Sequence, residues 1–492
     1  MRSLKTIDVL HSLVVFLLAS GCTVGPKYQR ASVPVPAKWE VTEPWRESAP
    51  KDGVAKGEWW SVFQNEELND FEKQTLDANQ TIKIAVARLE QARASAALQI
   101  ATQFPTLSAA PSVQRQRLSG NRPSSSNFPI TGPVSQANIT LPFVASYEAD
   151  LFGQRKRNIE AARASYQASA ADLENVRLVI TAELAGDYFT LRRLDSELTI
   201  LNRTVETLQK GLQLVQSRHT GGLASGLDVA EEETLLNTTR TQAILLQQQR
   251  KQFEDAIAVL LGKAPPDFHL APKELNAEPP ALDAGLPSDL LERRPDIGEA
   301  ERQMAVANAQ IGIARAAYFP SLNLFANGGW QAADIAKLLN VQSTFWAVGA
   351  NAAEAIFTGG TRRAQTQFAK AGYDATVASY RDTVLNAFRE VQDDVTGLIV
   401  LEQAFHSQQQ AVDSSRRTLD IATSRYVGGL VNYLDVVNAQ QNLLNNEQEL
   451  AVIRGQRLAT SVLLIKALGG GWDASSLSAV QVKTKLKDVV AP

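Results

Sequence analysis

Between Leu191 and Val215 the apolar positions fall at Leu191, Leu194, Leu198, Leu201, Val205, Leu208, Leu212 and Val215, spaced 3, 4, 3, 4, 3, 4, 3. Such steps keep these side chains on one stripe of an α-helix, the seam along which long helices pair. The pattern predicts one helix from near Gln154 to Gly221-Gly222, where glycine can stop it. At 1.5 Å per residue that helix is roughly 95 Å long, too long for most compact domains. A second helix is predicted from near Leu227 to near Gly262, making a hairpin with its tip at 219–227.

The period changes after Phe104-Pro105, where proline opposes continuation of the preceding helix, expected over Leu68 to Phe104. Ala137, Ile139, Leu141, Phe143, Ala145 and Tyr147 alternate with Gln136, Asn138, Thr140, Ser146 and Glu148. Period two with one apolar and one mostly polar face suits a strand between lipid and water. Residues 106–117 alternate similarly, and 322–330 and 343–357 less cleanly. Pro142 predicts a bulge, and the Gly/Pro/Ser-rich stretch 119–133 an outward loop.

These elements occur twice. Arg155 returns as Arg362, Glu183 as Glu390, Asp187 as Asp394 and Arg218 as Arg425, each 207 positions later. Gly221-Gly222-Leu223 with Asp228 returns as Gly428-Gly429-Leu430 with Asp435. In the second copy the seam reads Leu398, Leu401, Phe405, Gln408, Val412, Ser415, Leu419, Ala422, with two polar breaks. The two Phe-Pro pairs lie 215 apart, which puts the extra residues in the first β-hairpin. A repeat of this length means two fused copies of one module rather than a solenoid. The predicted class is α+β: long coiled-coil α-helical hairpins, plus antiparallel strands suited to a transmembrane β-barrel, four per chain.

The expected organisation is a signal at 1–21, an anchor and equatorial segment at 22–66 and a first repeat at 67–261 with its β-hairpin at about 106–150. A linker at 262–288, a second repeat at 289–468 with its β-hairpin at about 321–357 and tip at 426–434, and a C-terminal segment at 469–492 complete it. Each ascending side is expected to be two stacked shorter helices facing one long descending helix. The Pro-, Gly- and Trp-rich segments between them should form a mixed equatorial domain at mid-height.

Arg2 and Lys5, the run Leu13-Val14-Val15-Phe16-Leu17-Leu18 and Ala19-Ser20-Gly21-Cys22 form an export signal. Cys22, the single cysteine, stands where a bacterial lipoprotein is cut and acylated; the alternative is an ordinary signal peptide with an incidental cysteine. No later stretch approaches about 18 uninterrupted apolar residues, so any membrane crossing must use strands. Four strands per chain cannot enclose a water-filled lumen, and each unpaired backbone group in lipid costs several kcal/mol. Several chains must therefore share one barrel.

A formal charge of −3 gives no basic surplus for nucleic acid. His11, His219, His269 and His406 are scattered, with no paired metal-ligand spacing, phosphate-binding glycine loop or nucleophile elbow. No catalytic residue, metal or cofactor is expected. A coiled-coil lipoprotein that braces the envelope would share the heptads and Cys22, but gives no reason for four alternating segments between helices.

Cys22-Thr23-Val24-Gly25-Pro26-Lys27-Tyr28, Tyr147-Glu148-Ala149-Asp150-Leu151-Phe152-Gly153, Leu291-Glu292-Arg293-Arg294-Pro295-Asp296-Ile297, Ala317-Tyr318-Phe319-Pro320 and Arg425-Tyr426-Val427-Gly428-Gly429-Leu430 with Tyr433-Leu434-Asp435-Val436 resemble the outer membrane factor (TolC-like) family, in its lipoprotein branch. The resemblance covers essentially the whole mature chain. It implies a homotrimer with a twelve-stranded barrel in outer membrane lipid and a helical barrel across the periplasm. Its implied partners are a periplasmic adaptor (membrane fusion protein) and an inner-membrane pump of the resistance-nodulation-division type, together expelling drugs, metals or other solutes.

In such a duct the informative residues should be polar groups at the helical tips. Asp435 is the first gate candidate, because threefold symmetry would make it a carboxylate ring that favours cations. The family often has a second acid and a nearby arginine, where this chain has Asn438 and Gln441. Asp228, Arg218 and Arg425 are candidates for hydrogen bonds or ion pairs that hold the tips together. Asp228 and Asp435 can also simply begin helices. Gly221, Gly222, Leu223, Gly428, Gly429 and Leu430 are candidate adaptor contacts as well as helix stops. Arg293-Arg294-Pro295-Asp296 reads as a helix start more than as an anion site. Tyr433 and Asn438, where the first copy has Gly226 and Glu231, mark the second hairpin as the gate.

Overall fold

The computed structural model describes residues 23–36, 57–121, 132–280, 290–472 and Leu477. Cys22 lies outside them.

Two rods dominate. Helices α3 (Gln154–Thr220) and α7 (Thr361–Val427) each contain 67 residues, roughly 100 Å of helix. The heptad positions carry out what their spacing predicts: Leu191, Leu194, Leu201, Leu208 and Val215 are buried along α3. The two polar breaks in the second seam are matched by one residue of the returning helix α8 (Tyr433–Ala467). Gln408 donates to Asn446 Oδ1 at 2.9 Å, and Asn446 Nδ2 donates to Ser415 Oγ at 2.8 Å.

The shorter helices stack end to end. Helices α1 (Glu66–Ala78) and α2 (Gln80–Ala101) replace the single helix expected over Leu68 to Phe104. Asn79 breaks it: its Oδ1 accepts the backbone N–H groups of Thr81 and Ile82, and its Nδ2 donates to Leu260 O at 3.0 Å, at the end of α4 (Gly226–Leu260). The second copy repeats the joint with different chemistry. After the short α5 (Leu290–Arg293), Arg294 precedes α6 (Pro295–Ala316). Arg294 donates to Ala467 O, at the end of α8, at 3.0 Å. It also pairs with Asp296 at 2.7 Å and Glu390 at 2.8 Å. The Arg294-Pro295-Asp296 run thus starts a helix and seals the joint beneath it. A dense core lies here, with Trp59, Trp60, Phe63 and Leu68 packed on Tyr188, Phe189 and Leu458.

The strands form one antiparallel sheet. β1 (Thr106–Ala109) and β2 (Ser112–Leu118) run against β3 (Val134–Ala149) in a single register, Thr106 opposite Ser146 and Ser112 opposite Thr140. β3 pairs with β4 (Ser321–Ala332), and β4 with β5 (Thr344–Ala353). The bulge expected at Pro142 is absent: β3 runs in regular register with β4 through Pro142 and Gly329. Proline's missing N–H falls instead on the other side, where the β1–β2 ladder is interrupted at Ala110-Pro111. The second hairpin, expected to reach 357, ends as strand at Ala353.

This register puts Leu107, Ile139, Leu141, Phe143, Leu324, Trp330, Trp346 and Val348 on one face, and Ser108, Gln114, Asn138, Ser146, Asn323, Asn327 and Asn351 on the other. β1 and β2, end to end, make one open edge and β5 the other. Among the described residues no helix is long and apolar enough to cross a membrane.

Sheet passes to rod through a corner that both copies repeat. Gly153 (φ 79°) and Gly360 (φ 87°) cap the long helices in the left-handed region, where a side chain costs energy. Arg155 pairs with Glu148 at 2.6 Å and Arg362 with Glu354 at 3.9 Å.

Candidate functional site: the hairpin tips

Each long helix ends in the same turn. In the first, Gly222 (φ 71°) lets Leu223 N donate to Arg218 O at 2.8 Å; in the second, Gly429 (φ 73°) lets Leu430 N donate to Arg425 O at 2.9 Å. These bonds satisfy carbonyls that a helix end leaves unpaired. They also leave Leu223 and Leu430 projecting, 73% and 72% exposed.

The returning helices begin differently. Ser225 and Asp228 form a reciprocal capping box: Asp228 N donates to Ser225 Oγ, while Ser225 N and Oγ donate to the Asp228 carboxylate at 3.1 and 2.9 Å. The Asp228 carboxylate is therefore occupied within its own turn. At the second tip Asn432 is the cap, accepting from Asp435 N at 3.2 Å. Asp435 is exposed and its carboxylate is free of the cap, with exposed Asn438 one turn further on.

What joins the hairpins is aromatic. Tyr426 and Tyr433 pack with ring centroids 4.8 Å apart, and the Arg218 guanidinium lies 4.8 Å above the Tyr426 ring. A cation over a ring face is attracted by its quadrupole. Val215, Val436, Ala224, Val229, Leu419 and Ala422 close round this pair, so all four helix ends share one cluster. Of the tip groups expected to form polar links, Arg218 acts by stacking and Asp228 by capping. Arg425 is exposed and forms no ion pair among the described residues.

Glu232, one turn beyond Asp228, escaped the sequence reading. It is fully buried, and its carboxylate meets the Tyr433 hydroxyl. It occupies the space left by Gly211 on α3, where any side chain would collide with its Oε1, and faces Tyr433 across the joint. Burial pushes its carboxyl up to about 7. Burial and then the Glu232 charge push the Tyr433 hydroxyl far above its usual range. A signal existed in the differences between the copies. At the offset of 207, Gly211 and Glu232 correspond to Thr418 and Ala439, and Tyr433 to Gly226.

The family model "Outer membrane efflux protein" matches residues 73–263 and 286–470, one match on each half of the duplication. The chain belongs to the outer membrane efflux protein family. Among its curated relatives, a probable efflux pump outer membrane protein of Pseudomonas putida, TtgC, is 32% identical over 469 residues, covering 95% of this chain and 96% of the relative. The pyoverdine export outer membrane protein OpmQ of Pseudomonas aeruginosa is 31% identical over 476 residues, covering 96% and 98%. The solved outer-membrane channel OprN superposes with a TM-score of 0.84 at 29% identity, covering 92% of this chain and all of that one. This efflux protein is accordingly an outer membrane channel component, with the sheet as its membrane part and the tips at the far end of its helical part.

Proposed function

We propose that three copies of this chain form one duct, whose twelve strands close a barrel in the outer membrane and whose helices form a tube below it. The carrying observation is a sheet with an apolar face and two open edges, in which β1 and β2 follow one another against β3 in a single register and count as one of four strands. In lipid those edges must be paired, and pairing the β1–β2 edge of one copy with β5 of the next satisfies them. The duct catalyses no reaction; it receives solutes from an inner-membrane pump of the resistance-nodulation-division type through a periplasmic adaptor. The relatives' names, which include toluene and antibiotic efflux, support small organic molecules as cargo. Native mass spectrometry of detergent-extracted protein should give a three-chain species that conducts in planar bilayers. A non-conducting monomer would remove the proposal.

Leu223 and Leu430, apolar and exposed at the end of the structure farthest from the sheet, are the proposed adaptor contacts. Asp435 is the proposed gate charge, because its carboxylate is exposed and not consumed by a cap. Asp435→Ala is expected to raise single-channel conductance and to weaken cation preference. Unchanged conductance and ion selectivity in the same bilayer measurement would leave Asp435 as a helix-starting residue only.

Cys22 is the proposed acylation site. Thr23 packs against Gly153, and Val24 N donates to Phe152 O at 3.2 Å, at the corner where sheet gives way to rod. A lipid on the preceding residue would reach the inner leaflet beside the barrel. Cys22→Ser is expected to abolish metabolic palmitate labelling; a variant labelled as strongly as the natural protein would show that the lipid is elsewhere.

A further inference from the structure

The outward face of the sheet changes character abruptly at its loop end. From Ala149 to Ile139 on β3 the face is apolar, and its partners include Leu107, Val113, Leu324, Trp330 and Val348. Ten residues of strand extend about 33 Å, close to the ~25 Å apolar band of a barrel once the strands are tilted. Trp330 meets Phe143 edge-on at 6.5 Å near the loop end of this band, a place where aromatic residues mark a lipid–water boundary.

The next two positions on the same face are Arg115, opposite Ala137, and Arg117, opposite Ser135. Both are exposed, and neither forms an ion pair among the described residues. The adjoining loop sequence 119–133 contains Arg122 and no acidic residue. An arginine on the lipid face costs about 2–4 kcal/mol at the bilayer midplane but only about 0–1 near its edges. These two stand where the cost is lowest and where headgroup phosphates lie.

We propose that Arg115 and Arg117 form a binding site for the phosphate groups of the phosphorylated glycolipid in the outer leaflet. This rests on the barrel reading given above. Charge complementarity selects the occupant: two forked guanidiniums, two residues apart on one strand face, can each take a phosphate bidentately. Their aliphatic stems can lie along the apolar surface below while the guanidiniums reach the headgroups. The site would fix the depth of the barrel and the lipids around it.

The test uses the full chain in phosphatidylethanolamine vesicles containing either diphosphorylated lipid A or its phosphate-free counterpart. After affinity isolation, lipid A retained per chain is measured by mass spectrometry. The natural protein should retain diphosphorylated lipid A, and R115Q/R117Q should lose roughly ten-fold or more of that retention. The natural protein should hold the phosphate-free lipid no better than the double variant holds lipid A. Equal retention by R115Q/R117Q, or of the phosphate-free lipid by the natural protein, would overturn the site. Heat-modifiable migration and bilayer conductance report barrel formation separately. If the double variant builds no barrel, the comparison of the two lipids on the natural protein decides the matter.

Discussion

Arg294→Ala is expected to destabilise the folded protein by about 3 kcal/mol, read as a fall in the denaturant midpoint of its helical signal. The side chain is almost fully buried and holds three groups together: the Ala467 carbonyl that ends α8, Asp296 in the first turn of α6, and Glu390 on α7. Removing it leaves a helix-end carbonyl unpaired and two carboxylates without their cation. Arg294→Lys should recover only part of the loss, because an ammonium cannot make the paired bonds to Asp296. Asn79→Ala, at the equivalent joint, should cost about 1 kcal/mol, the usual loss for a helix cap. An Arg294→Ala protein as stable as its parent would mean that the joint is held by packing alone.

Glu232→Gln is expected to remove a pH dependence at the tips. Burial raises the Glu232 carboxyl to about 7 in the folded protein, whereas in the unfolded chain it titrates near about 4.3. The folded state therefore holds its proton through the interval in which the unfolded chain has lost it. Stability from this group is fully present below about pH 4.3 and is lost as pH rises through about 7, a difference of at most about 4 kcal/mol. Asp187, Glu299 and Asp394, raised by burial and neighbouring acids to about 6, 7 and 7, share this sign elsewhere. Hydrogen exchange resolved to the tips separates them. Amides around Gly211 and Tyr433 should lose protection between pH 5 and pH 8 in the natural protein and keep it in the glutamine variant. A natural protein with flat protection over that range would count against a neutral buried Glu232.

The sequence made the rods and turns legible because they rest on local rules. The heptad from Leu191 to Val215 specifies a helix that the chain closes at Gly221, and Gly222 and Gly429 sit where the backbone turns left-handed. Alternation around Ile139 and Phe143 gave the strand and its apolar face. The break at Asn79 was not legible, because Ala78-Asn79-Gln80 carries no glycine or proline. Asn79 caps α2 through its own Oδ1, and the end of α4 takes its remaining donor. Pro142 predicts a defect in its own strand, yet its effect falls on the neighbour. At the tips, Tyr426 and Glu232 act through residues on the other hairpin and on α3, contacts that no local spacing records. Shared landmarks between the copies revealed the architecture. Their differences marked where the hairpins interlock.

The joints at Asn79 and Arg294 also make the two sides of each hairpin mechanically unequal. On one side runs an uninterrupted rod of 67 residues; on the other, a 35-residue segment meets its upper neighbour at a single capped junction. Below that junction α8 is a lever about 52 Å long. A tilt of about 5° at Arg294 would carry its lower end sideways by about 4–5 Å, more than the width of a water molecule, while the upper segment and the sheet stayed still.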